Sequence, residues 1–339
     1  MDLFFEPVEL TLHEPFTIAR GTQRVAGTVR VRLEHDGLSG IGEAAPSEHY
    51  GEFQASVLGF LELLRPLLEA EQVDCIQTLH ERMNETVCLN PAAKAAVDMA
   101  AYDLLGKRLG TPVYTLLGLN PARTPLTSFT IGIDTPQNMG RKATEAAQYP
   151  ILKVKVGTVR DVENLAAIRD ARPDAIIRVD ANEAWTPKEA VARIEELAEF
   201  DLEFVEQPVD GGDVEGLGYV QSASALPVFA DESCVVPADV PRVAPYVDGI
   251  NIKLMKCGGI YPAMQMIHLA RSHNLKVMMG CMIESSVAIT AAAHLSPLID
   301  YADLDGNLLI DDDPYVGVTV QDGKLVLPSA PGLGLQPVS

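Results

Sequence analysis

Five charged residues recur at one interval along the chain: Lys155, Asp180, Glu206, Asp231 and Lys253, spaced 25, 26, 25 and 22 residues apart. Each stands at or beside the end of a short apolar run: ILKVKV, AIIRVD, LEFVE, PVFAD and GINIK. That interval is one strand plus one helix, so the five side chains should line one rim of a parallel sheet. Three neighbouring carboxylates make a hard-oxygen set suited to Mg²⁺, which keeps positions open for water or substrate oxygens. No histidine or cysteine stands at a strand end except Cys281, just after KVMMG, which argues against zinc. In a closed ring of eight strands the two lysines lie four strands apart. They would face a central substrate from opposite sides, one removing a proton from a carbon and the other returning a proton to its far face.

A proton α to a carboxylate is weakly acidic, and its loss gathers charge on the carboxylate oxygens as an enediolate. A divalent cation stabilises that charge and a neighbouring ammonium assists. A lysine acting as base must be neutral, so nearby positive charge and restricted hydration have to lower its pKa. Strand alternation sends Lys153 to the same side as Lys155, where it can tune the base and hold the developing oxyanion. In YADLD the same alternation pairs Asp303 with Asp305, two carboxylates the metal does not need. They suit a cationic group such as an α-ammonium. The implied substrate has a carboxylate at one end, an ammonium at the other and a stereocentre beside the carboxylate.

Singly, each piece has an ordinary explanation. K-x-K is usually a solvated strand face, D-x-D a turn feature, and V-D-A-N or V-E-Q-P a strand end leading to a helix start. The regular spacing of all five charges at one structural position outweighs those readings. The methionines of VMMGCM and Cys281 read as core or pocket wall, and none of the seven histidines is assigned to chemistry.

The elements that must position these residues follow from periodicity. Residues 3 to 45 read as an antiparallel meander, LFFEPVEL, TVRVRLEH and SGIGEA, with a turn at Asp36-Gly37. Helical patterns follow at 52–70, 73–86 and 91–109, the last opened by Pro91 and closed by Gly110. From Thr127 the texture becomes repeated βα units with eight strand-like runs: the five above plus SFTIGI, KVMMG and YADLD. The fold class expected is α/β, a (β/α)7β TIM-like barrel with an N-terminal α+β capping domain. The boundaries expected are 1–120 for the cap, 121–314 for the barrel, and 315–339 for a segment returning to the cap.

With 339 residues, 47% of them hydrophobic, the chain is long enough for a barrel and a smaller domain. A formal charge of −21 spread along the sequence disfavours nucleic acid and anionic membranes as partners. Five scattered cysteines form no C-x-x-C pair, unlike a disulfide framework or zinc cluster. MDLFFEPVEL lacks a basic leader region, and no apolar run approaches a membrane span, so a cytoplasmic protein is expected.

With these residues in place, the sequence resembles the enolase superfamily, in its muconate-lactonising subgroup, and within it the dipeptide epimerases. The motifs carrying the resemblance are LKVKVG, VDANEAW, VEQP, ADES, NIKLMKCGG, GCMIES and DLDG, and it runs from PFTIARG to PGLGL. A lysine or histidine base with Mg²⁺ is general to that superfamily. The resemblance implies an isomerase with Mg²⁺ on Asp180, Glu206 and Asp231, and acid/base roles for Lys155 and Lys253. It further implies that Lys153 contacts the substrate carboxylate, and that Asp303 and Asp305 hold the amino terminus of a dipeptide. The D-x-D favours dipeptide epimerases over o-succinylbenzoate synthases, N-succinylamino acid racemases or cycloisomerases. Two cap loops, 17–27 and 46–52, should close over the barrel mouth. Members acting on L-Ala-D/L-Glu place an arginine in the first loop, for which this chain offers Arg20 and Arg24, with Ile283 lining the same pocket. The substrate expected is L-Ala-D/L-Glu, with a role in murein peptide metabolism and, by family habit, a homo-oligomer. The alternatives are a cationic side chain met by Glu48, Glu52 or Glu284, a hydrophobic dipeptide, or a metal- or peptide-binding barrel without catalysis.

Overall fold

In the computed structural model, which describes residues 1–70 and 75–338, the first 44 residues form a three-stranded antiparallel sheet. Its strands are β1 (Asp2–Ile18), β2 (Gly21–His35) and β3 (Leu38–Ala44). Asp36 and Gly37 take positive φ at the expected turn. The first hairpin is longer than the hydrophobic pattern suggests. After an irregularity between Thr11 and Phe16, pairing resumes as Phe16↔Gln23, Thr17↔Thr22 and Ile18↔Gly21. The expected loop 17–27 is therefore mostly ladder, with its tip at Ala19 and Arg20. The returning side of those rungs, Gly21 to Val25, is exposed, so no apolar alternation marks it.

Helix α1 (Gln54–Ala70), α2 (Ile76–Thr86) and α3 (Pro91–Leu109) follow. The expected start of the second helix at 73 lies outside the described residues, as does residue 339. Helix α3 is buried along most of its length because it lies directly on β3. A Cβ on Gly42 would come within 1.9 Å of the Ala96 carbonyl oxygen, so only glycine permits that approach.

All eight expected barrel strands form, in order and parallel: β4 (Phe129–Ile131), β5 (Ile151–Lys155), β6 (Ile176–Asp180), β7 (Leu202–Glu206), β8 (Val228–Ala230), β9 (Gly249–Ile252), β10 (Lys276–Met279) and β11 (Tyr301–Ala302). The ring closes where Thr127 bridges Ala302 and the Ser128 N–H donates to the Ala302 carbonyl at 3.1 Å. Six helices pack outside: α4 (Pro136–Glu145), α5 (Asp161–Ala171), α6 (Pro187–Leu197), α7 (Val214–Ala223), α8 (Ile260–Ser272) and α9 (Ser286–Ala293). The crossover after β8 is only a helical turn, Val240–Val243. Phe204, Phe229, Met278 and Tyr301 fill the barrel interior, with the Arg178 guanidinium over the Phe204 and Tyr301 rings. This layer is a solid floor beneath the charged rim. No helix among the described residues is long and apolar enough to cross a membrane.

The terminal segment forms two small pairings, Tyr315–Val316 with Gln336–Pro337 and Thr319–Gln321 with Lys324–Val326. Its end reaches the α3 region: Val113 N–H donates to the Gly332 carbonyl, and Leu333 N–H to Asp103 Oδ1 at 2.8 Å. His294, fully buried after α9, joins the same region. Its Nδ1 accepts from the Tyr114 N–H and its Nε2 donates to the Leu333 carbonyl, both at 3.2 Å. Only the neutral ring satisfies both partners. Burial pushes its pKa down to about 4, the Leu333 carbonyl opposing. An unfolded histidine titrates near 6.5, so the unfolded chain binds the extra proton between these values. The stability this group contributes is complete above about pH 6.5 and is lost as pH falls through 4, about 3 kcal/mol in all. Denaturant unfolding at pH 7.5 and 4.5 should show a shallower pH dependence in His294→Gln than in the wild type; equal slopes would contradict this.

Candidate active site

Register places the rim. Lys155 on β5 pairs directly with Asp180 on β6, and Asp180 with Glu206 on β7. Asp231 follows β8 by one residue and Lys253 follows β9 by one. One ligand oxygen from each of Asp180, Glu206 and Asp231 lies within 4.8 Å of the other two, and all three residues are buried. The lysines flank this triad. Lys155 Nζ donates to Asp180 Oδ2 at 2.6 Å and to Asn182 Oδ1 at 3.0 Å, while Lys253 Nζ donates to Asp231 Oδ2 at 2.7 Å on the far side. Three strands lie between β5 and β9.

Lys153 is 2% exposed and surrounded by carboxylates: Asp303 Oδ2 and Glu206 Oε2 at 2.7 Å, Asp180 Oδ2 at 3.1 Å. Burial opposes its charge, but these anions hold its pKa well above the ordinary lysine value. Asp303 also accepts from Ser128 Oγ at 2.6 Å, and Asp305 Oδ2 accepts from the Thr130 N–H at 2.5 Å. Burial would raise Asp303, yet Lys153 brings it below its usual value, whereas burial and the nearby Asp303 charge push Asp305 up to about 7.

The carboxylates themselves test the fit of a divalent cation. Burial, with Asp180 close by, pushes Glu206 up to about 8 despite Lys153. Its Oε2 is buried and receives no hydrogen bond of good geometry, although Lys153 Nζ is 2.7 Å away. Three buried acids converging with one oxygen unsatisfied suit Mg²⁺. Asp231 behaves differently: burial would raise it, but Lys253 and Lys256 hold it well below the carboxylate range.

Lys253 and the Asp231 carboxylate are held closely to one another. Burial tends to lower Lys253, but Asp231 outweighs it and raises the pKa, away from neutrality. The carboxylates touch the lysines more closely than any cationic neighbour does. The loop arginines part company as well. Arg20 lines the cavity but its Nη1 is already shared by Glu183 Oε2 and Glu232 Oε1, both at 2.8 Å, and the Asn182 carbonyl at 3.1 Å. Arg24 does not line it: Gln23 and Val25 do, and alternation along β2 sends the residue between them to the other face. Ile283 lines the cavity. Glu284 is buried outside the lining, bonded to the Met282 N–H, and Glu52 is turned to the Ala92 N–H at the start of α3. Glu48 remains at the mouth.

Several polar residues join the site without a prior assignment. Gln207 Oε1 accepts from the Asp231 and Ser233 N–H groups, fixing the third carboxylate's backbone. Asn251 Nδ2 donates to Glu206 Oε1 at 2.6 Å. Lys256, fully buried, donates to Asp231 Oδ1 at 2.5 Å. Their signals were present in VEQP, GINIK and KLMK, but as neighbours of the spaced charges. The cavity above the rim, about 790 Å³, is bordered by the β1–β2 hairpin and the 46–53 loop, a size suited to a small ligand.

Residues 1–118 match the mandelate racemase / muconate lactonizing enzyme N-terminal domain, and residues 138–338 match the enolase C-terminal domain-like family. The L-Ala-D/L-Glu epimerase of Bacteroides thetaiotaomicron is 42% identical over 100% of this chain and 88% of its own length. The hydrophobic dipeptide epimerase of Enterococcus faecalis is 41% identical over 96% of each chain. A crystal structure of an Enterococcus faecalis dipeptide epimerase with Mg and L-Leu-L-Tyr superposes with a TM-score of 0.93 at 39% identity, covering 98% of both chains. The chain belongs to the enolase superfamily, in its mandelate racemase/muconate-lactonising division, and groups there with the dipeptide epimerases.

Proposed function

We propose that Lys155 and Lys253 are the acid/base pair of a Mg²⁺-dependent dipeptide epimerase that inverts the α-carbon of the C-terminal residue. The chain is an isomerase of the dipeptide epimerase class. The observation that carries the residue roles is the joint geometry. Two lysines flank a triad of carboxylates from opposite sides, and Asp303 and Asp305 share their cavity.

Bound at Asp180, Glu206 and Asp231, Mg²⁺ would supply a Lewis acid for the charge that gathers on the substrate carboxylate as the α-proton leaves. Lys153, held cationic by its anionic neighbours, places a fixed ammonium beside that carboxylate. Asp303 and Asp305 take the substrate ammonium, fixing the distance between the two charged ends. The neutral amine of one lysine removes the proton from one face of Cα. The ammonium of the other delivers a proton to the opposite face, and the roles reverse for the other epimer. The hairpin tip and the 46–53 loop restrict water over the cavity.

A cytoplasmic setting belongs to this reading, supported by five free cysteines, two of them buried. The relatives' names divide between L-Ala-D/L-Glu and hydrophobic dipeptides at nearly equal identity. The test is chiral chromatography of L-Ala-L-Xaa dipeptides incubated with the protein and Mg²⁺. The L,D epimer should form with no change of mass, and a chelator should stop it. A product lighter by water would indicate elimination and overturn the reading.

A further inference from the structure

The side-chain pocket has one cation that could recognise a substrate carboxylate beyond the lysines of the rim. Arg20 is the only arginine among the described residues lining the cavity. Its Nη1 is already shared among three acceptors. Its two partners, Glu183 and Glu232, bring two negative charges to one guanidinium. Glu232 depends on it: its Oε2 is buried without any hydrogen bond, and its Oε1 has only Arg20 and the Asn182 amide. Drawing Arg20 away to a ligand would leave that carboxylate uncompensated in the interior.

The carboxylates of the cluster have partners of their own. Glu183 Oε1 accepts the Gly211 N–H at 2.7 Å, and its Oε2 is taken by Arg20 and faced by His49 Nε2 at 3.3 Å. The free Glu232 oxygen is out of reach of solvent. Glu52 and Glu284 are bound to backbone N–H groups. Around this charge-closed cluster the lining offers Ile18, Val25, Phe53, Met282, Ile283 and Leu309.

We propose that the residue inverted by this protein carries an uncharged, apolar side chain, with Arg20 serving to hold the β1–β2 hairpin on the barrel rather than to read a substrate acid. This rests on the dipeptide epimerase reading above. A pocket lined this way favours apolar contact, and apart from Glu48 at the mouth its carboxylates already have partners of their own, so a charged side chain entering it gives up hydration for little.

The test compares kcat/KM of the full chain with Mg²⁺ on L-Ala-L-Leu, L-Ala-L-Phe, L-Ala-L-Glu and L-Ala-L-Lys. The leucine and phenylalanine dipeptides should exceed the other two by at least about 100-fold. Glutamate or lysine within tenfold of leucine, or ahead of it, would overturn the proposal while leaving the epimerase reading intact; inversion of none of the four would remove both. Arg20→Met gives a second reading. It should lower kcat/KM for the leucine and glutamate dipeptides alike, whereas a selective rise in KM for glutamate would show that Arg20 reads the substrate and would contradict the assignment.

Discussion

Lys155→Ala and Lys253→Ala should each abolish epimerisation, and they should do so with opposite stereochemical signatures. In each variant one face of Cα keeps its base. The α-proton of one epimer should therefore still exchange with solvent in Lys155→Ala, and that of the other epimer in Lys253→Ala. Positioned acid/base groups contribute about 10² to 10⁴ in rate, so net inversion should fall by about that factor or more. The geometry behind this is the separation of β5 from β9 by three strands, with each lysine hydrogen-bonded to a different carboxylate of the triad, Asp180 or Asp231. Proton NMR of each epimer in D₂O, followed separately for each variant, checks it. Loss of exchange from both epimers in both variants would point to a single base assisted by the other lysine.

Lys256→Met should have the largest effect on stability of any substitution near the site. Lys256 has no solvent exposure, and its ammonium donates to Asp231 Oδ1, the Asp231 carbonyl, the Cys234 carbonyl and the Asn251 carbonyl, at 2.5 to 3.0 Å. Methionine keeps much of the volume and removes every donor. Asp231 would then be a buried carboxylate supported by Lys253 alone, and the carbonyls of Asp231, Cys234 and Asn251 would each lose this donor. Breaking a buried pair from one side costs about 3 to 5 kcal/mol. A divalent cation would offset part of the exposed charge, so Mg²⁺ should raise the melting temperature of Lys256→Met more than that of the wild type. Calorimetry with and without Mg²⁺ measures both effects. A variant as stable as the wild type would mean that Asp231 does not need its second lysine.

The barrel and its charged rim were legible because each parallel strand is buried on both faces. A strand such as PVFAD reads as an apolar run, and the one acid at its end stands out. Spacing then did the rest, since one βα unit separates neighbours on the ring. The hairpin was legible only in part. Thr17 pairs with Thr22 and Phe16 with Gln23, and the returning strand is exposed from Gly21 to Val25, leaving no hydrophobic alternation to mark it. Lys256 escaped notice for another reason: it sits in the short helical turn after Lys253, off the strand-end pattern, and three of its four acceptors are backbone carbonyls, which have no sequence signature. The partners of Arg20 lie more than 160 residues away on the far side of the cap boundary. A sequence shows that an arginine is near the mouth; whether its charge is free depends on Glu183 and Glu232, which only the folded chain brings to it.

The measurement closest to the central claim is deuterium uptake from D₂O into L-Ala-L-Xaa dipeptides, read by mass spectrometry in the presence of Mg²⁺. Proton transfer through two lysines replaces the α-hydrogen of the C-terminal residue with one solvent deuteron per inversion, so the account predicts a gain of one mass unit that accompanies formation of the L,D epimer and disappears with a chelator. Inversion without deuterium, or no uptake into any dipeptide, would contradict it.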